Sequence, residues 1–343
     1  MPSSRHDWRP TATRKRLEKR AAALAQVRSF FAARGVMEVD TSVVVNAPVT
    51  DVHIHSAEVR FPDDATADAG GPARFFLHTS PEFAMKRLLA GGSGDIYQIC
   101  HVVRGLERGR HHNAEFTLVE WYRLGFTLAQ LMHEVDALAR VVLGPIALPF
   151  ASEYLTYREA FENALGIDPL AAPLAELRSA ALDLGFTLPA ASDGAPRSGN
   201  LADSSRDELL DFLMAAHVGP RLGRKALTFI HGYPASQAAL ARLDPADPRT
   251  AQRFELYCEG VELANGFHEL ASATEQRARF EQDLAERKAR GLPVHSLDER
   301  LLAALEHGLP DCAGVALGFD RLLMLATGAT HIDEVLPFPI DRA

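Results

Sequence analysis

Residues 104–122 read Arg-Gly-Leu-Glu-Arg-Gly-Arg-His-His-Asn-Ala-Glu-Phe-Thr-Leu-Val-Glu-Trp-Tyr, and the fold class follows most directly from this segment. An apolar alternating run, 96–103, precedes it, and a second apolar run begins at Phe116. Alternation on both sides of a polar loop that contains glycine predicts two antiparallel strands joined by that loop. The loop is rich in cationic and amide donors, and guanidinium groups fork onto phosphate oxygens, so it favours a polyphosphate ligand. A solvated basic loop is the alternative interpretation.

The composition is that of a globular chain with an acidic balance. The chain has 343 residues, of which 47% are hydrophobic and 24% charged, enough to bury a core. Its net charge of -9 and pI near 5.9 argue against a protein that coats nucleic acid non-specifically. The three cysteines lie far apart without a CxxC pattern, which predicts a reduced chain without structural zinc. With no apolar leader or membrane-length window, we expect a soluble, cytoplasmic protein with no membrane partner.

Helical and strand patterns are interspersed along the chain. Helices are predicted over 14–34, 81–90, 128–142, 157–165, 174–184, 206–217 and 274–290, and strands over 75–78, 228–231 and 253–261, with a strand-to-helix unit at 315–325. Connections between strands are short and mostly non-helical, which predicts an α+β fold on an antiparallel sheet. We expect one domain over 1–343, with 1–12 as a loose arm and 145–225, including a low-complexity turn at Ala190–Asn200, as a helical insertion.

Three further clusters contain the residue types that ATP-dependent activation of a carboxylate requires. Glu262 and Glu269 flank a predicted Asn-Gly turn at 265–266, so the two carboxylates would approach one point as a magnesium site requires. Exposed acids on a hairpin are the alternative. Residues 314–321 are predicted to form a glycine-containing strand-to-helix turn that would present Arg321 to phosphates. A turn with no ligand is the alternative interpretation. Residues 79–82 open a helix with Pro81 at its first position, and a plain capped helix is the alternative there.

Together these segments resemble class II aminoacyl-tRNA synthetases, and specifically the catalytic domain of lysyl-tRNA synthetases. Residues 35–41 are similar to the first class II motif, 104–122 to the second and 318–321 to the third. The run 262–270 resembles the lysyl-type Glu-x-x-Asn-Gly-Phe-x-Glu-Leu segment, and the resemblance extends from Lys15 to the end of the chain. It implies an antiparallel sheet flanked by helices, the use of ATP and Mg²⁺, and a homodimer formed through the first motif.

The position of the first motif narrows the resemblance. Because that motif begins near residue 35, no room precedes it for the anticodon-binding OB-fold of lysyl-tRNA synthetases. The chain therefore resembles the stand-alone family that attaches (R)-β-lysine to a lysine of translation elongation factor P, and we expect no cognate tRNA. Ala316 stands where the tRNA synthetases of this type usually have glycine, which is consistent with a β-amino acid. The choice between (R)-β-lysine and lysine stays open.

The resemblance also implies roles for individual residues. Arg104 and Arg321 would be catalytic, and Arg104 would face the charge that develops at the α-phosphate. The implied ATP contacts are Arg104, Leu106, His112, Asn113, Phe116, Glu262, Leu263, Gly318 and Arg321. The implied contacts of the amino acid are Ser80, Pro81, Glu82, Tyr122, Glu269 and Ala316, with Glu120 as a further candidate for an amine. Glu262 and Glu269 would bind Mg²⁺ through the ATP phosphates.

Two positions depart from the family pattern. Leu106 stands where the family has an acid that would contact the adenine amino group, and Ser42 stands where the first motif typically has proline. Arg108, Arg110 and the segment 14–20 are candidates for a basic surface that would receive the acceptor protein, or solvated charges. Two other functions remain open: a lysine-type ligase acting on tRNA or a small molecule, and a non-catalytic sensor of an amino acid or ATP.

Overall fold

The computed structural model describes residues 8–61, 74–105, 108–144, 150–185 and 204–343. The chain divides into two compact units. The first comprises residues 1–126, 137–147 and 271–343, and the second comprises residues 127–136 and 148–270. Within the described residues, no helix combines the length and the apolar character that crossing a bilayer would require.

Helices and strands alternate irregularly, which confirms the α+β prediction. The helices are α1 (Arg14–Ala32), α2 (Glu82–Ala90), α3 (Leu128–Leu143), α4 (Tyr157–Leu165), α5 (Leu174–Asp183), α6 (Arg206–Leu213), α7 (Ala273–Ala289), α8 (Glu299–Gly308) and α9 (Phe319–Thr327). The strands are β1 (Met37–Glu38), β2 (Val44–Val45), β3 (Glu58–Val59), β4 (Phe75–Leu77), β5 (Ile96–Val103), β6 (Glu115–Leu124), β7 (Glu153–Thr156), β8 (Thr228–Pro234), β9 (Thr250–Cys258), β10 (Val261–His268) and β11 (Cys312–Gly318).

The first unit contains strands in the order β1-β5-β6-β11. β5 and β6 pair antiparallel from Ile96 opposite Tyr122 to Val103 opposite Glu115, so the predicted central hairpin is confirmed. β11 pairs antiparallel with the other edge of β6. The short β1 instead pairs parallel with β5, a departure from the purely antiparallel expectation.

Helix α1 packs on this part of the sheet through aromatic rings. The ring of Phe31 stacks on Tyr97 with 4.3 Å between centroids and meets Trp121 edge-on at 5.2 Å. Val27, one turn earlier on α1, is fully buried. Residues spaced by four lie on one face of a helix, which is why this stripe covers the hairpin. The packing holds α1 against the strands that carry the second motif.

A small sheet leads into α2. Its strands lie in the order β2-β4-β3, with antiparallel pairing throughout. Pro81 takes the cap position before α2 and not the first helical position, so the helix begins one residue later than the sequence predicts. The Ser80 hydroxyl accepts from the backbone N–H of Glu82 at 3.0 Å, which satisfies a donor that a helix start leaves open.

The second unit contains strands in the order β10-β9-β8-β7, antiparallel except for the parallel pair β7–β8. The helices predicted within 145–225 are confirmed as α4, α5 and α6, and α6 continues as a π-helical turn over Met214–Val218. Their apolar faces form a core with Phe161, Leu209, Leu213 and Ile230, all fully buried. The segment 190–200 lies outside the described residues.

The expectation of one domain with an insertion at 145–225 stays a prediction. Of the expected loose arm, residues 1–7 lie outside the described residues. The end of that arm is hydrogen-bonded to the chain near its other end: the backbone N–H of Thr11 donates to Pro337 O at 2.9 Å, and that of Ala12 donates to Leu336 O at 3.2 Å. Ala12 is buried.

Candidate active site

The central hairpin places Arg104 directly after β5. The backbone N–H of Arg104 donates to Ala114 O at 2.8 Å, which continues the pairing of the strands into the loop. Its guanidinium carbon lies 5.3 Å from the ring centroid of Phe116, and its Nε donates to Thr79 O at 3.3 Å. A guanidinium within about 6 Å of an aromatic face is attracted by the ring quadrupole. The structure therefore brings a cation and a half-buried aromatic ring together at the strand ends.

Arg321, in the first turn of α9, points at the loop of the same hairpin. Its Nε donates to His111 O at 3.2 Å, and its NH2 lies 2.6 Å from His112 Nε2. Loss of hydration, followed by the charges of Arg321, His111 and Arg104, lowers the pKa of His112 to about 4. The ring is thus neutral near pH 7, and its Nε2 accepts from the Arg321 guanidinium. The charges of both predicted catalytic arginines thus lower the pKa of the same imidazole.

The hairpin loop is anchored by the segment that follows α9. Arg108 binds both carboxylate oxygens of Asp333, at 2.8 and 2.7 Å, and also Asp341 at 3.0 Å. The backbone N–H of Ile332 donates to Arg110 O at 2.9 Å, and Arg110 Nε donates to Thr330 O at 2.8 Å. The charge of Arg108 is therefore balanced within the chain, which favours the structural alternative over its candidacy for an acceptor-binding surface.

The cations at the start of α1 are paired in the same way. Arg14 pairs with Glu18 at 2.9 Å, and Arg16 with Glu334 at 2.6 Å. Arg20 forms an ion pair with Asp320. This segment consequently does not present a purely basic face.

The structure gives the side chain of Asn113 contacts that the sequence does not predict. The side chain of Asn113 is buried; its Nδ2 donates to Glu115 O at 2.7 Å, and its Oδ1 accepts from the backbone N–H of Ile340 at 3.1 Å. Both ends of the amide thus hold backbone in place, and its role toward a nucleotide stays a prediction. Leu106, with its neighbour Glu107, lies outside the described residues.

A buried carboxylate lies beside the start of α2. Glu120 is 2% exposed, and its Oε2 accepts from the Ser80 hydroxyl at 2.7 Å while its Oε1 accepts from the Tyr122 hydroxyl at 2.8 Å. A carboxylate accompanied by two hydroxyl groups is a combination that can bind an ammonium. Glu120, only a further candidate by sequence, is at the centre of this cluster.

Glu82 is already engaged by a lysine within the chain. Its Oε1 accepts from Lys86 Nζ at 2.6 Å, and the side chain of Lys86 is 1% exposed. The sequence interpretation missed Lys86, although acid and lysine four residues apart on a helix are the expected spacing for such a pair. A substrate ammonium at Glu82 would have to share that carboxylate with Lys86.

Strand β11 lies beside β6, the strand that carries Glu120 and Tyr122. Ala316 lies opposite Glu120 in the register of β11 and β6 and is half-buried. Gly318 ends the strand and caps α9, which starts at Phe319 and so carries Arg321 in its first turn. The register thus brings the unusual methyl group of Ala316 to the level of the carboxylate.

In the second unit, the predicted turn at Asn265-Gly266 is wrong, because both residues lie within β10. The turn between β9 and β10 is formed by Glu259 and Gly260, with φ values of 52° and 73°. Gly260 is required there, since a Cβ would lie 2.9 Å from Pro220 O.

An irregular register sets the face of β10 on which Glu262 lies. The register of β10 shifts between Glu262 and Ala264, and this irregularity adds one residue to the strand. Glu262 lies opposite Tyr257, Asn265 opposite Glu255 and Phe267 opposite Arg253. Because the three partners are spaced by two residues on β9, Glu262, Asn265 and Phe267 lie on the same face of the sheet. Glu269 lies beyond the end of β10, where an isolated bridge pairs it with Ala241. Leu263, at the shift, is buried.

No group of three or more His, Cys, Asp or Glu side chains with the arrangement of a metal site occurs among the described residues. Any ion at Glu262 or Glu269 would therefore need oxygen ligands from a bound molecule, as Mg²⁺ commonly takes from nucleotide phosphates.

Comparisons with known proteins agree with the motifs. Residues 3–342 match the family model described as tRNA synthetases class II (D, K and N). The elongation factor P–(R)-β-lysine ligase of Vibrio vulnificus strain YJ016 is 49% identical over 337 residues, 98% of this chain and 99% of that protein. The protein of that name from Vibrio cholerae serotype O1 is also 49% identical over 337 residues, with the same coverage. The one from Klebsiella pneumoniae subsp. pneumoniae is 48% identical over 338 residues, 98% of each chain.

Proposed function

Since the chain belongs to the class II tRNA synthetase family (D, K and N), we propose that it is an ATP-dependent ligase acting on elongation factor P. It would activate (R)-β-lysine as an adenylate and transfer the β-lysyl group to the ε-amine of a lysine in that factor. Relatives that carry this activity in their names cover nearly the whole chain, which supports the proposal at the level of substrate and acceptor.

In the first half-reaction, a carboxylate oxygen of the amino acid attacks the α-phosphorus of ATP and pyrophosphate leaves. Arg104 and Arg321 would neutralise the charge that develops on the phosphate oxygens, because each presents a guanidinium next to Phe116 or the hairpin loop. Phe116 would stack on adenine. The chain needs no general base here, since the attacking carboxylate is already ionised and positioning supplies most of the catalysis.

In the second half-reaction, the ε-amine of the acceptor lysine attacks the carbonyl carbon of the adenylate. The bond to the phosphate oxygen breaks, AMP leaves, and the amine nitrogen loses a proton as the amide forms. The result is an amide between the β-lysyl group and the acceptor lysine.

The observation that carries the proposal is the buried carboxylate of Glu120 between two hydroxyl donors. A buried carboxylate that accepts from hydroxyl groups is a suitable partner for the ammonium of an amino-acid substrate. We assign Ser80, Glu120 and Tyr122 to an amine of the substrate and Ala316 to the floor beside it.

Glu262 and Glu269 are the residues we propose for Mg²⁺, whose charge would offset that of the ATP phosphates. Leu263 belongs to the same assignment for the nucleotide, and Glu269 also to that for the amino acid. These roles rest on the family resemblance.

The proposal extends to a homodimer formed through residues 35–41 and to a cytoplasmic location, with no cognate tRNA. Met37 and Val43 are 49% and 43% exposed, as expected for apolar residues that a second copy would cover. The cysteines are free, which suits a reducing compartment.

Exchange of labelled pyrophosphate into ATP, driven by (R)-β-lysine or by L-lysine, tests the activation step. We expect exchange with both and a higher kcat/KM for (R)-β-lysine, followed by a mass shift of purified elongation factor P equal to one β-lysyl group. A preference for L-lysine would keep the ligase and overturn the substrate. Exchange without modification of the factor would favour a tRNA or small-molecule acceptor, and ATP binding without any exchange would favour a sensor.

A further inference from the structure

Arg20, in the middle of α1, is the cation of a buried cluster that joins three distant segments. Its side chain is 12% exposed, and its NH1 pairs with Oδ1 of Asp320, whose side chain is 2% exposed. Its NH2 donates to the hydroxyl of Thr117 at 2.5 Å. The second oxygen of Asp320 accepts from the backbone N–H of Thr117 at 2.7 Å, which closes the cluster.

Two further contacts fix the plane of the Arg20 guanidinium. Its central carbon lies 5.2 Å from the ring centroid of Phe319, and its NH1 reaches Val335 O at 3.4 Å. A planar fork with several fixed donors orients its partners in a way that a lysine ammonium does not. The cluster therefore defines the relative placement of α1, β6 and α9.

Stability alone does not account for this cluster. Removing two charges from water is costly, and apolar residues of similar volume often stabilise a core as well as a buried ion pair does. What a satisfied buried pair adds is a defined geometry, because each group accepts only certain directions of approach. The position of the cluster along the sequence shows what that geometry affects.

The two side chains that Arg20 binds, those of Thr117 and Asp320, belong to chain neighbours of residues that we assign to ATP. Thr117 follows Phe116 in β6, and Asp320 precedes Arg321 in α9. Successive residues of a strand point to opposite faces, so Thr117 reaches Arg20 while Phe116 points away from it. The cluster thus lies directly behind the two side chains that would enclose adenine.

We propose that Arg20 is a positioning residue for ATP, which holds Phe116 and Arg321 in the relative placement that the nucleotide requires. This inference rests on the proposed function, because it assumes that those two residues bind ATP. Misplacement of binding groups by about 1 Å can lower a rate by about 100-fold. Loss of the contacts that Arg20 makes with Thr117 and Asp320 should therefore raise the KM for ATP and lower kcat, with little effect on the KM for the amino acid.

The test compares Arg20→Gln, Arg20→Lys and a matched control in pyrophosphate exchange. The control is Arg16→Gln, which removes another ion pair of the same helix, that with Glu334 at 2.6 Å, and leaves Asp320 untouched. We expect kcat/KM for ATP to fall about 10- to 100-fold in Arg20→Gln and less in Arg20→Lys, and by less than about 3-fold in the control. Equilibrium binding of ATP, measured by calorimetry well below each melting temperature, should weaken in the same order.

A purely structural role for Arg20 would give a different pattern. The melting temperature would fall, while the KM for ATP, the KM for the amino acid and kcat measured on folded protein would stay at the wild-type values. That pattern would overturn the inference. If Arg20→Gln does not fold, Thr117→Val decides, since it removes one hydroxyl at nearly constant volume: a KM for ATP unchanged from wild type would overturn the inference, and a rise would support it.

A failure of the proposed function would give a different result from a failure of the positioning role. Wild-type protein that neither binds ATP nor supports exchange would refute the ligase itself, whereas an active wild type with kinetically silent Arg20 variants would refute only the positioning role.

Discussion

Replacing Glu120 by Gln tests the proposed amine site at its centre. The change keeps the size of the side chain and removes its charge. Both carboxylate oxygens accept from hydroxyl groups, those of Ser80 and Tyr122, and a hydroxyl can rotate to accept from an amide instead. We therefore expect the variant to fold and to keep its melting temperature within a few degrees.

The expected effect lies in the binding of the amino acid. A hydrogen bond to a charged group contributes about 1.5–3 kcal/mol, which corresponds to about 10- to 150-fold in KM. Because Glu120 is 2% exposed, water screens little of that interaction. The KM for (R)-β-lysine should rise by that factor, while the KM for ATP should change by less than about 3-fold.

Pyrophosphate exchange measured against both substrates provides the assay, and Glu115→Gln is the matched control. Glu115 lies on the same strand, but its side chain is 45% exposed and contacts the ring of His101 at 2.6 Å. It should show wild-type kinetics. A Glu120→Gln enzyme whose KM for the amino acid stays within 3-fold of wild type would refute the assignment of this carboxylate to a substrate amine.

Three further outcomes are expected. Ala316→Gly should raise kcat/KM for L-lysine relative to (R)-β-lysine by about 10-fold in exchange assays, because one methyl group in a pocket discriminates by about 1–3 kcal/mol; an unchanged ratio would contradict this. The pKa of His112, about 4, lies below that of an unfolded histidine, so its contribution to stability is present above about pH 6.5 and is lost as pH falls toward 4. Melting curves of His112→Gln should accordingly lose less stability than wild type between pH 7 and 4.5, and equal losses would exclude the effect. Asp333→Asn should raise the KM for ATP more than Asp341→Asn, since Asp333 binds Arg108 through both oxygens and is 20% exposed, whereas Asp341 is 63% exposed; the reverse order would count against anchoring of the loop.

Periodic patterns predicted the elements of the fold well. The central hairpin and α1 were identifiable because alternation and a four-residue spacing record local geometry directly. The turn between β9 and β10 was misplaced because Asn-Gly is a general turn signal, and nothing local distinguishes Asn265-Gly266 from Glu259-Gly260. What decides is tertiary: the pairing of the two strands and the close approach of Pro220 to Gly260.

The residues of the candidate site also differ in how readily the sequence identifies them. Residues within recognisable motifs, such as Arg104 and Arg321, were proposed for the site from the sequence pattern, and their roles stay predictions. Glu120 had a local mark, a charge within an otherwise apolar strand, and that mark identified it only as a further candidate. Arg20 had none, because it is one of several cations on a helix and its partner lies 300 residues away. Contacts of that range carry no signature in the sequence around either residue.

The separation of Arg20 from Asp320 also has a consequence for biosynthesis. A ribosome makes the chain from the amino end at about 5–20 residues per second, so α1 exists for tens of seconds before Asp320 is translated. During that interval the arginine has no carboxylate partner, and the proposed adenine pocket has only one of its walls. Nascent or prematurely terminated chains should therefore not sequester ATP, and the last helix to emerge is the one that makes the protein competent.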